Sequence, residues 1–92
     1  MNEQDVLMQL IQRKGADHQE WVFVGEAGEL LDAVADFKRG RCDTDHIAEE
    51  IADVEIMLEQ LKIIYDAHEA VDAAMELKIK RLRQLLNMDM DE

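Results

Sequence analysis

The stretches GEAGELLDAV (Gly25–Val34) and HIAEEIADVEIMLEQL (His46–Leu61) decide how this chain folds. Each carries two acids with two residues between them: Glu26 and Glu29 in the first, Glu50 and Asp53 in the second. Helix formers dominate both stretches, and apolar residues recur every three or four positions, so each reads as an amphipathic helix. Three residues advance a helix by about 300°, which puts both carboxylates of a pair on one face with Cβ atoms roughly 5 to 6 Å apart. Two such faces turned toward one another would form an all-oxygen cage. Hard cations bind in such a cage, Mg²⁺ first and Mn²⁺ as its alternative.

The flanking sequence supplies two more helices and the breaks between all four. Val6, Leu7, Leu10 and Ile11 predict a first helix over residues 3–13, ended by Gly15. Asp17 followed by Glu20 has the form of a capping box, so a second helix is expected from there to about Lys38, with the stripe Phe23, Ala27, Leu30, Val34, Phe37 and a stop at Gly40. Asp43 or Thr44 is expected to cap the third, which runs to about Tyr65 along Ile47, Ile51, Val54, Leu58 and Leu61. A second apolar set on that helix, Ala52, Ile56 and Ile63, lies on roughly the opposite side and reads either as a subunit interface or as internal core. Asp66 with Glu69 repeats the capping pattern, opening a fourth helix to about Leu86 along Val71, Met75, Leu82 and Leu85 or Leu86, with a frayed NMDMDE end.

These elements predict an all-α, four-helix bundle-like fold in one domain spanning residues 1–92. Apolar residues make up 48% of the chain, Pro is absent and Gly is scarce, which fits a helical globule rather than a disordered chain. So short a helical domain is expected to complete its core by oligomerising. The formal net charge of −12 opposes binding to nucleic acid polymers and to anionic membranes. It would also repel a nucleotide, unless metal ions reversed the local field. The single cysteine, Cys42, cannot form a disulfide within the chain. No run approaches the roughly 20 apolar residues of a membrane span, and no signal-peptide pattern is visible, so a cytoplasmic location is expected.

Spacing alone leaves the acids open to two readings. Packing through the apolar stripes would bring Glu26, Glu29, Glu50 and Asp53 to the rim of the core, where four partly desolvated carboxylates are unfavourable without cations. Yet with 22 acids in the chain, pairs at this spacing also arise on solvated faces, as Glu29 with Asp32 shows. His18, His46 and His68 form neither HExxH nor Glu-x-x-His, which removes the zinc-protease and di-iron bundle signatures. Cys42 sits between Arg39 and Asp43, and Arg39 with Arg41 would lower its pKa, but no nucleophile signature accompanies it. Trp21 reads either as a stacking platform for a base or as packing beside Phe23.

The runs QEWVFVGEAGELL (Gln19–Leu31), KRG (Lys38–Gly40) and EEIADVEIMLEQLK (Glu49–Lys62) resemble the MazG-like all-α nucleoside triphosphate pyrophosphohydrolases, which carry an ExxE motif on one helix and an ExxD motif on the next. The resemblance covers residues 19–62, and more loosely MELKIKRL near the end. It implies hydrolysis of a nucleoside triphosphate, often a deoxynucleotide, to the monophosphate and pyrophosphate. It also implies Mg²⁺ held by Glu26, Glu29, Glu50 and Asp53 as the catalytic set, phosphate contacts from Lys78 and Arg81, and a homodimer or homotetramer. One departure stands out. Many relatives have a Glu pair before the AGEL-type segment, and here the first position is Gly25, so a water-positioning acid is either missing or replaced by Glu20 or Glu49. The reading from a different class is a non-catalytic acidic helical module that oligomerises or binds a basic partner.

Overall fold

The computed structural model describes the backbone of residues 1–90 and the side chains of residues 1–87. Four helices follow in order: α1 (Glu3–Lys14), α2 (Ala16–Lys38), α3 (Thr44–Ile64) and α4 (His68–Met90). No strand occurs among the described residues, so the all-α expectation is met.

Local chemistry sets the breaks, with two differences from expectation. The Asn2 side chain caps α1 by accepting from the Asp5 N–H at 2.8 Å, and Asp43 caps α3 by accepting from the His46 N–H at 3.0 Å. Gly15 adopts φ 94° and both closes α1 and precedes α2. Asp17 therefore lies inside the first turn of α2 and the expected capping box does not form there. Both later breaks are Schellman turns, in which the residue after the left-handed position bonds back to a carbonyl five residues earlier. At the first, Gly40 takes φ 75° and Arg41 N–H reaches the Asp36 carbonyl at 2.8 Å. At the second, Asp66 takes φ 50° and Ala67 N–H reaches the Lys62 carbonyl at 2.9 Å. Asp66 thus terminates α3 instead of capping α4. The α4 helix continues past Leu86 to Met90, through most of the segment expected to fray, and Asp91 and Glu92 lie outside the described residues.

The α2 and α3 helices, joined by a tight polar turn, form an antiparallel hairpin that holds most of the tertiary contact, and α1 lies across both. Helix α1 packs beside the second apolar face of α3 without covering it, since Ala52 and Ile56 border an open groove with Val6, Leu7 and Leu10 and remain exposed. Helix α4 packs against α3 alone among the described residues. The resulting radius of gyration is 17.0 Å, against about 12 Å for a compact chain of this length.

The hairpin covers the expected apolar stripes only in part, with Phe23, Ala27, Leu30, Ile47, Val54 and Leu61 half-buried. Ala33 and Met57 are its buried apolar residues, whereas Val34, Phe37, Ile51 and Leu58 of the expected stripes stay substantially exposed. The deepest polar residues are Gln19 at 4% and Gln60 at 1% exposure. Gln19 Nε2 donates to Gln60 Oε1 at 2.7 Å, and Gln60 Nε2 donates to Met57 Sδ at 3.3 Å. This amide pair fixes the register. Seven residues forward on α2 and seven back on α3, Glu26 stands opposite Asp53; ten residues each way, Glu29 stands opposite Glu50.

Candidate metal centre

The register brings the acids together at the edge of the α2–α3 contact, with Glu26 and Glu50 half-buried and Glu29 and Asp53 exposed. Carboxylate oxygens of Glu26, Glu29 and Glu50 lie within 4.8 Å of one another. An octahedral Mg²⁺ with bonds of roughly 2.1 Å holds its ligand oxygens about 3 to 4 Å apart, so a small inward adjustment of the side chains would close the three around one ion. Asp53 is outside this tightest group but belongs to its field, for its charge acts on both Glu26 and Glu50. It also borders, with Glu26, Gln19, Gln60 and Met57, a cavity of about 190 Å³ that opens beside the cluster.

Burial shapes the protonation of these acids. The Glu50 side chain is 13% exposed, and Oε2 of Glu50 and Oε2 of Glu26 are each buried with no hydrogen-bond partner. Burial, followed by the charges of Glu29, Asp53 and Glu50, raises the Glu26 pKa above its ordinary 4.5. Burial, followed by Glu29 and Asp53, raises that of Glu50, and His46, whose Nε2 is 4.0 Å from Glu50 Oε1, offsets this in part. A structural acid pair would normally find donors. Two orphaned oxygens among neighbouring like charges could hold a cation, and hard oxygen chemistry suits Mg²⁺ or Mn²⁺.

The other sequence candidates lie apart from this cluster. Trp21 is 68% exposed and borders a separate shallow groove with Phe23, Val24 and Tyr65. Lys78 and Arg81 ride on α4, which makes no packing contact with α2 among the described residues, so one chain does not bring them to the Glu26–Glu29 face. Glu20 accepts from Tyr65 Oη at 2.6 Å, an anchor between α2 and the end of α3 that also raises the tyrosine pKa. Of the two substitutes for the acid absent at Gly25, Glu49 is therefore the one whose charge reaches Glu50. A Cβ built on Gly25 meets nothing within 4 Å, so no close approach requires glycine there. The Cys42 thiol donates to the Ala33 carbonyl at 3.4 Å, and burial with Asp36 and Asp43 raises its pKa. The flanking arginines do not activate it.

Sequence reasoning passed over Gln19 and Gln60. The signal was a seven-residue spacing, with Gln19, Glu26 and Ala33 on one helix and Glu50 and Met57, then Asp53 and Gln60, on the other. Compared with known proteins, the chain matches no family model, no curated protein and no solved structure.

Proposed function

We propose that this protein is a Mg²⁺-dependent nucleoside triphosphate pyrophosphohydrolase, with Mn²⁺ as an alternative ion, converting ribo- or deoxynucleoside triphosphates to the monophosphate and pyrophosphate. The observation that carries the reading is the pair of buried, unpartnered carboxylate oxygens on Glu26 and Glu50 at the centre of the acidic seam. Glu26, Glu29 and Glu50 would hold the ion, with Asp53 completing the set. A bound divalent ion would supply charge neutralisation for the triphosphate and acidify a coordinated water.

The chain's own residues account for the rest of the chemistry. The Gln19–Gln60 pair holds α2 and α3 at the spacing that makes the acids converge. His46 lies beside Glu50 at the open end of the seam and favours its ionised form, the form a metal requires. Glu49, one residue from Glu50, is the acid best placed to orient a water in place of the one absent at Gly25. Lys78 and Arg81, the cations assigned to the β and γ phosphates, would have to come from another copy of the chain, because α4 leaves α2 untouched.

That same placement favours a second reading, a non-catalytic acidic helical module that oligomerises or binds a partner. Release of pyrophosphate and monophosphate from a panel of ribo- and deoxynucleoside triphosphates, with Mg²⁺ and with chelator, separates the two. Metal-dependent release from the wild type, lost in Glu50→Gln and Asp53→Asn while the helical circular dichroism persists, is expected. Full turnover in both variants would refute the assignment of the acids, and silence across the panel from folded wild-type protein would favour the module.

A further inference from the structure

Helix α4 leaves a large apolar face uncovered. Val71 and Met75 border a groove of about 720 Å³ against Leu58, Leu61 and Tyr65 of α3. At about 100° per residue, Val71, Met75, Ile79, Leu82 and Leu86 lie within an arc of about 80°. Ile79, Leu82 and Leu86 continue that stripe beyond the groove, and all three are exposed. The chain exposes 7429 Å². A folded monomer of this mass exposes about 5,500 Å², so each chain carries about 1,900 Å² of excess surface, and burying about 800 Å² of it on each partner would make a standard-sized interface.

The charges on α4 say what covers it. Its first turns carry Glu69, Asp72 and Glu76, and the stretch from residue 78 to 83 carries Lys78, Lys80, Arg81 and Arg83. The one acid of α4 after them is Asp89 in the last turn, which leaves the second half net positive. A helix with this polarity repels a parallel copy and attracts an antiparallel one. The apolar stripe has matching symmetry: Val71 and Leu86, like Met75 and Leu82, are equidistant from a point between Lys78 and Ile79. Asp72 and Arg83 are centred within one residue of that point, on the same flank of the stripe.

We propose that α4 is the isologous interface of a homodimer, in which the second half of each α4 lies antiparallel in the other chain's α3–α4 groove. The partner's Leu86 and Leu82 meet Val71 and Met75 above Leu58 and Leu61. Asp72 pairs with the partner's Arg83, and the two-fold axis generates the pair twice. The groove is bordered by Glu55, Glu59, Lys62 and Asp72, and with Lys62 paired to Glu59 its remaining charges, Glu55 and Asp72, meet the basic stretch of the incoming helix. This interface is independent of the metal reading, since no acid of the seam takes part.

The test is sedimentation equilibrium on the full chain, with circular dichroism to verify helicity. Wild type is expected to be dimeric at micromolar concentration, or a tetramer that contains this dimer, and Leu82→Glu to shift it toward monomer. Asp72→Arg and Arg83→Asp alone are each expected to weaken the dimer about tenfold or more, and the two together to restore it to within a few-fold of wild type. A Cys42→Ser, Ile79→Cys chain is expected to form a disulfide-linked dimer on oxidation. A monomeric wild type, a dimer indifferent to Leu82→Glu, or a double charge exchange no stronger than the single changes would overturn the proposal.

Discussion

Glu50 and Glu26 are held in the folded chain in a state that their own ionisation opposes. In the unfolded chain both would ionise near 4.5, and in the folded chain only at higher pH. Between those values the folded state holds the extra protons, so stability falls as pH rises through the window. The penalty is absent below the unfolded value and complete above the folded one. In chelator, the melting temperature of wild type is expected to rise as pH is lowered toward the ordinary carboxylate value of 4.5. Glu50→Gln should be more stable than wild type at pH 7 and show a shallower slope, and a slope equal to wild type would contradict the assignment. Gly25 is a simpler case. It sits mid-helix with open space around its Cα, so Gly25→Ala is expected to stabilise the fold by about 1 kcal/mol, read from chemical denaturation.

Among the elements, the Gln19–Gln60 pair decides where the hairpin meets. Both amides are buried and bonded to one another, so truncating one leaves the other without its partner. Gln60→Ala is expected to destabilise by about 1 to 3 kcal/mol, whereas Gln19→Leu with Gln60→Leu should be closer to neutral. A double variant as unstable as the single one would show that packing, not the amide bond, sets the register. This pair also marks where the sequence stopped being legible. The four helices and their breaks at Gly15, Gly40 and Asp43 could be read, because glycine at positive φ and an aspartate cap act locally. Asp66 was read as a cap and is a left-handed terminator, since the same residue type serves both ends of a helix. The acids do lie at the rim, Glu29 and Asp53 exposed and Glu26 and Glu50 half-buried, but the Gln19–Gln60 bond beside them joins residues 41 apart in sequence, which periodicity does not report.

For the whole molecule, two surfaces stand out: exposed apolar residues along α4, and a cluster of acids that His46 alone among the described residues offsets, and only in part. Periodicity showed that α4 is amphipathic, but not that the chain would leave its face bare, because that depends on how far α4 departs from the hairpin. The two proposals answer them differently, with a second copy on the apolar face and a divalent ion at the acids. The divalent ion is the central claim, and Mn²⁺ binding followed by electron paramagnetic resonance tests it most directly. Wild type is expected to take up Mn²⁺ at a saturable site from which Mg²⁺ displaces it. Glu26→Gln and Glu50→Gln should each weaken that site at least about tenfold, while Glu69→Gln, on exposed α4, leaves it unchanged. Equal Mn²⁺ uptake in all four proteins, or none that saturates, would contradict a metal centre between α2 and α3.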